Sequence, residues 1–208
     1  MFYTVIFSIK FLLFHIVIDI FYCKKQIQSN YSLLTHKPTM KTIYIIRHAK
    51  SSWKFPELDD KHRPLNKRGY QSASSIGHAL LKKNIQLDKI ISSPATRALS
   101  TAQILSTILQ YKIENIEISN DFYTFSNSGS IIFETLQQLP NSINSVAVFG
   151  HNSTFENIAR YISEGEIYHF PTCAVLALKF DNNNWRNISI DKVNIDYLLT
   201  PKQLDLNL

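Results

Sequence analysis

From Met40 onward, short runs of apolar, β-branched residues alternate with stretches whose apolar positions recur every three or four residues. Thr42–Ile46 is the first run and reads as a buried strand. Between Arg68 and Asn84, Ala73, Ile76, Gly77, Leu80 and Leu81 take the spacing of a core-facing helix, and Asn66 stands where a capping residue belongs. Lys89–Ser92 reads as the next strand, and Ala95–Leu109 as a helix burying Ala98, Ala102, Leu105 and Leu109. A short strand over Asn115–Ser119, a helix over Ser130–Leu139 stopped by Pro140, a strand over Ser145–Phe149 and a helix over Thr154–Ser163 follow. Cys173–Phe180 and Trp185–Ile190 flank the Asp181–Asn184 turn and predict a hairpin. This alternation predicts an α/β fold: a three-layer α/β/α sandwich with a mostly parallel central sheet.

Residues 1–39 follow a different pattern. Phe2–Tyr22 is almost continuously apolar and long enough to span a bilayer, but Lys10, His15 and Asp19 interrupt it. No charge precedes the run and no small-residue cleavage site follows it, so a secretory signal fits poorly. Met40 begins MKTIYIIRH, which reads as the first strand of a small cytosolic domain. The division expected is an N-terminal extension over 1–39 and one domain over 40–208. The extension reads first as a mis-called start, and otherwise as a membrane anchor through Phe2–Tyr22 or an interfacial helix. The expected location is cytoplasmic, or membrane-anchored if that segment is made.

Composition narrows the class. Hydrophobic residues are 45% and charged residues 18% of the chain, which excludes extensive disorder. Two cysteines exclude a disulfide scaffold and any four-cysteine zinc module. The net charge of +6 suggests a broad basic surface, but residues 1–39 hold four Lys against one Asp. Residues 40–208 keep 18 basic and 15 acidic side chains, a mild surplus without the aromatic interleaving of a nucleic-acid groove. No Walker loop, dinucleotide fingerprint or nucleophile elbow is present.

Chemistry gathers where strands end. Ligands of open parallel sheets bind beyond the carboxyl ends of the strands. The first strand runs into Arg47-His48, the second into Ser92-Ser93-Pro94 and a helix carrying Arg97, and a later one into Gly150-His151-Asn152. A parallel sheet brings these ends to one edge, together with two helix N-termini. Two arginines, two histidines and those free N–H groups describe an anion site, most naturally for phosphate. His62 and His78 lack partners at metal-ligand spacing and read as surface residues, Cys173 as a small core residue, and Trp53 as a core or rim aromatic.

The ordered set Ile45-Ile46-Arg47-His48-Ala49, Ser92-Ser93-Pro94-Ala95-Thr96-Arg97 and Val148-Phe149-Gly150-His151-Asn152 resembles the histidine phosphatase superfamily, the phosphoglycerate-mutase-like proteins. Ser51-Ser52-Trp53 and the segment from Asp59 to Gly69 resemble its SixA-type phosphohistidine phosphatase branch, and the likeness runs over about residues 40–202. Ala49 stands where Gly is more usual, a mild departure. The resemblance implies a phosphoglycerate-mutase-like fold and a nucleophilic His48 that takes the phosphoryl group. It also implies that Arg47, Arg97 and His151 stabilise the phosphoryl oxygens, with further donors around Ser51 and Asn152. No metal or other cofactor is implied.

The resemblance would also place a Glu slightly under thirty residues beyond Arg97, and none is there. Asp121 is the nearest carboxylate, and Asp59 and Asp60 are alternatives for a general acid. Imidazole leaves phosphorus far more readily than an alkoxide, so a missing acid favours phosphohistidine substrates over mutase chemistry. The expected partner is therefore a phosphohistidine-bearing signalling protein. The rivals are a phosphatase for small phosphorylated metabolites and a phosphate-binding regulatory module without turnover.

Overall fold

Apolar runs and helical stripes meet in one six-stranded sheet whose order is β3-β2-β4-β1-β5-β6. The computed structural model describes Lys24, residues 40–123 and residues 129–205. The strands are β1 Lys41–Arg47, β2 Lys89–Ser92, β3 Glu117–Ile118, β4 Ser145–Gly150, β5 Val175–Phe180 and β6 Val193–Leu199. The helices are α1 Lys67–Lys82, α2 Thr96–Ile108, α3 Ser130–Gln137, α4 Thr154–Ile162 and α5 Pro201–Asp205. β1, β2, β3 and β4 run parallel, while β5 is antiparallel to both β1 and β6. The expected boundaries agree with these to within a few residues, except at the last strand.

Period-two alternation divides the strands between two cores. Ile43, Ile45, Val146, Val148, Leu176 and Leu178 face one side, where Ile132, Phe133 and Leu136 of α3 and Phe155 and Ile158 of α4 cover them. Tyr44, Ile46, Ala147, Phe149, Val175 and Ala177 face the other, under Ala73, Ile76 and Leu80 of α1 and Ala102 and Leu105 of α2. Central strands buried on both faces need apolar residues at every position, which is why β1 and β4 are continuous apolar runs. The α/β/α sandwich is thus the observed architecture.

The hairpin expected over Trp185–Ile190 is not formed. Trp185–Asn187 is a 3-10 turn, and the strand beside β5 comes later, at β6. Trp185 is fully buried, stacked on Phe180, and its indole N–H donates to the Ile143 carbonyl at 2.8 Å. That anchor turns the chain under the sheet before it can pair with β5.

Asn66 caps α1 as expected, its Oδ1 accepting from Gly69 N–H at 2.8 Å. Gly69 also lets α1 approach the chain leaving β1: a Cβ there would lie 2.2 Å from the Lys50 carbonyl oxygen. The first turn of α1 therefore fixes the loop that follows His48.

The apolar segment Phe2–Tyr22 lies outside the described residues. Among the described residues, no helix is long and apolar enough to cross a membrane.

Candidate active site

The parallel register places the three strand ends together. Arg47 pairs with Gly150 across β1 and β4, and His48 N–H donates to the Gly150 carbonyl at 3.0 Å. Ser93 N–H donates to the Phe149 carbonyl at 2.9 Å, tying the end of β2 to β4. The imidazoles of His48 and His151 come to 5.0 Å between centroids. A cavity of about 90 Å³ opens there, lined by Arg47, His48, Arg97, Tyr123, His151 and Asn152 among others. None of the described residues lining it is a carboxylate. A larger, mostly apolar groove of about 420 Å³ beside α3 and α4 holds none of the candidate residues.

His48 is 9% exposed. Its Nδ1–H donates to the Ala49 carbonyl at 2.7 Å, which leaves the lone pair of the neutral ring on Nε2. Burial pushes its pKa down to about 3; the Ala49 carbonyl opposes this, and His151, Arg97 and Arg47 add to it. His151 is also pushed down to about 3, first by burial and then by the charge of Arg97. Ser93 Oγ lies 2.8 Å from His151 Nε2. Both rings are therefore neutral at physiological pH.

The arginines differ in their partners. Arg47 Nη1 donates to the Phe170 carbonyl at 2.6 Å, while its Nε is buried without a hydrogen-bond partner, as is His151 Nδ1. Burial lowers the Arg47 pKa, Glu156 opposes that, and Arg97 adds to it. Arg97 is buried rather than a solvated face residue, and its Nη2 pairs with Asp60 Oδ2 at 2.8 Å.

The other candidates are dispersed. Ser51 does not reach the cavity: its hydroxyl accepts from Arg63 Nη2 at 2.6 Å, and its backbone bridges to Leu65. Asn152 lines the cavity, but its Nδ2 donates to Glu156 Oε2 at 2.9 Å and to the Phe170 carbonyl at 3.0 Å. It therefore braces the same carbonyl that holds Arg47. Asp121 is exposed on the 3-10 turn Asn120–Phe122 and borders a narrow crevice with His151 and Thr154. Asp59 caps the 3-10 turn Asp60–His62 and lies 2.6 Å from His62 Nδ1, out on the surface. Asp60 forms an ion pair with the cavity residue Arg97, so the segment after β1 does reach the site. Among the described residues, no group of His, Cys, Asp and Glu side chains is arranged to hold a metal.

Arg63, Ser93 and Tyr123 are the participants that local patterning did not reveal. Arg63 is buried, donates to Ser51, Ser52 and Asp60, and lies 3.2 Å from the Trp53 ring, whose outer face is exposed. Trp53 is thus a rim residue. A strand end reading Ser92-Ser93 marks a position but not its partner, and Arg63 and Tyr123 act through contacts distant in sequence.

The family model described as histidine phosphatase superfamily, branch 1, matches residues 43–123. Over that segment the chain is similar to the histidine phosphatase superfamily. Similar solved structures include the protein histidine phosphatase SixA complexed with tungstate, with 19% identity and a TM-score of 0.66, covering 78% of this chain and 99% of that one. An Agrobacterium tumefaciens structure assigned to phosphohistidine phosphatase SixA is 24% identical, with a TM-score of 0.62, covering 77% and 98%. Phosphoglycerate mutase from Bacillus anthracis is 12% identical, with a TM-score of 0.56, covering 80% and 96%. An uncharacterized chloroplast protein of Arabidopsis thaliana is 28% identical over 149 residues, 69% of this chain and 68% of that one. The structural likenesses establish a phosphoglycerate-mutase-like fold.

The neutral histidines make stability depend on pH. Both rings stay unprotonated in the fold down to about 3, whereas an unfolded histidine takes a proton near 6.5. Below 6.5 the unfolded chain therefore binds more protons, and stability present above that pH is lost as pH falls towards 3. The Asp60 carboxyl, held low, acts in the same direction at more acid pH. Unfolding free energy should drop by roughly 3 kcal/mol between pH 6.5 and about 5 from the two rings. Urea titrations across that range check this, and a flat midpoint would exclude two buried neutral imidazoles.

Proposed function

We propose that the chain is a phosphatase that transfers a phosphoryl group to His48 and then to water, and that its substrate is phosphohistidine displayed on a protein. The observation that carries this is the tautomer of His48. Its Nδ1–H is held by the Ala49 carbonyl, so a neutral Nε2 lone pair is available beside two guanidiniums. Attack of Nε2 on phosphorus forms the N–P bond as the bond to the leaving nitrogen breaks. Water then attacks the phosphohistidine, releasing inorganic phosphate and restoring the neutral ring. Arg47 and Arg97 hold the phosphoryl oxygens, since a planar fork fits an oxyanion bidentately. His151 lines the same cavity, its ring 5.0 Å from that of His48 and held by Ser93, and donates to the oxygens as charge spreads over them.

Two features favour a phosphoramidate substrate. No described cavity-lining residue is a carboxylate to protonate a poor leaving group, and a protonated imidazole does not need one. The cavity of about 90 Å³ is far below the roughly 300–1,000 Å³ of small-molecule pockets, so it suits a phosphoryl group presented from outside. Two of the similar structures are of a protein histidine phosphatase SixA and of an Agrobacterium tumefaciens protein assigned as phosphohistidine phosphatase SixA, consistent with this substrate.

The test compares phosphate release from a phosphohistidine-bearing protein with release from a panel of phosphate esters, without added metal. Faster turnover of the phosphohistidine protein is expected. Esters turned over far faster would overturn the substrate in favour of small metabolites. Phosphate binding with no turnover of either would leave a regulatory module.

A further inference from the structure

Asp60 stands where an incoming anion would find its partners. Its Oδ2 lies 2.8 Å from Arg97 Nη2, and its backbone carbonyl accepts from Arg97 Nη1. Its Oδ1 accepts from Arg63 Nη1 at 2.8 Å, and the Tyr123 hydroxyl donates to Oδ2 at 3.2 Å. Arg97 and Tyr123 both line the cavity with His48. One of the two guanidiniums able to hold a phosphoryl group therefore already faces a carboxylate.

Burial alone would raise the Asp60 pKa, but the hydrogen bond and charge of Arg97, with help from Arg63 and Tyr123, hold it below the usual carboxylate range. The group is ionised at neutral pH and receives bonds from three donors. That is the form of a counter-ion, not of a general acid, which must carry a proton to give.

Resting on the phosphatase reading above, we propose that Asp60 is the resident counter-ion of the phosphate site and weakens its hold on inorganic phosphate, the product of the reaction. Two arginines converging on one small cavity would retain a dianionic product. If the carboxylate stays on Arg97, it repels the phosphate oxygens. If it turns towards solvent, which its 43% side-chain exposure permits, the incoming anion must break charge-assisted bonds to Arg97 and Arg63. Both routes weaken phosphate binding and so speed its release. Asp59 is the internal contrast: it carries the same charge one residue away but pairs with His62.

Calorimetric titration of the full chain with inorganic phosphate at pH 8, without metal, tests this. Asp60→Asn should bind phosphate roughly ten- to hundredfold more tightly than wild type, the size expected for removing a like charge ~6 Å from a bound anion in a partly screened site. Asp60→Ser, which also keeps the backbone carbonyl contact, should show the same direction and guards against misfolding of the first variant. Asp59→Asn should change affinity by no more than about twofold, as for an exposed charge. Measurable wild-type binding with no tightening in either folded Asp60 variant overturns the counter-ion role and leaves the phosphate site standing. Equal tightening in Asp59→Asn overturns it too, by assigning the effect to long-range charge. Absence of phosphate binding in wild type and in both Asp60 variants overturns the phosphate-site reading and this proposal with it.

Discussion

His48→Ala should release phosphate about 10⁴-fold more slowly than wild type, or worse, because losing the proposed nucleophile removes the covalent route rather than weakening it. The same variant should take up no acid-labile label from a phosphohistidine protein, whereas the wild type does so transiently. The two readouts separate the nucleophile from a residue that merely shapes the cavity. The side chain is packed at the end of β1 and its backbone N–H is held by Gly150, so the strand end survives truncation. Circular dichroism and the urea midpoint check that. A folded His48→Ala protein retaining more than about a hundredth of wild-type turnover would show that the phosphoryl group never passes through this ring.

Arg47→Lys should lower kcat/KM by about 10²–10³-fold, although the positive charge is kept. Arg47 has one terminal nitrogen on the Phe170 carbonyl and a buried Nε with no protein partner. A guanidinium can hold that carbonyl and a phosphoryl oxygen at once through different N–H groups. An ammonium is a point charge on a flexible stem and cannot reproduce that fork. Loss mainly in kcat is expected, because the oxygens gain charge in the transition state. Activity within about tenfold of wild type would mean that charge alone matters at this position.

Most of what positions these residues is local enough to read from the chain. Ile43 to Ile46 and Val146 to Phe149 must be apolar on both faces because their strands are covered on both sides, so their ends, and Arg47-His48 and Gly150-His151 with them, are easy to locate. Asn66 is equally legible, since a cap acts within three residues. The last strand was not. Trp185-Arg186-Asn187-Ile188-Ser189-Ile190 and Val193-Asn194-Ile195-Asp196-Tyr197 both alternate, and periodicity cannot tell that burial of Trp185 against Phe180 and Ile143 removes the first from the sheet. Nor can spacing show that Arg97 pairs with Asp60, thirty-seven residues away, or that Arg63 takes up the Ser51 hydroxyl. Such contacts depend on how a loop folds back over the sheet edge.

The strand order has a last consequence, for how activity is lost. β1 and β4, which deliver His48 and His151, are the two innermost strands, flanked by β2 and β3 on one side and by β5 and β6 on the other. Arg47 N–H is bonded to the Ala174 carbonyl and His48 N–H to the Gly150 carbonyl. Fraying begins at sheet margins, such as the two-residue β3 or the far strand β6, and costs less free energy than opening the centre. The His48 amide should therefore be among the slowest to exchange its hydrogen with solvent. Loss of the arrangement at these two strand ends should therefore track global unfolding more closely than fraying at the sheet margins.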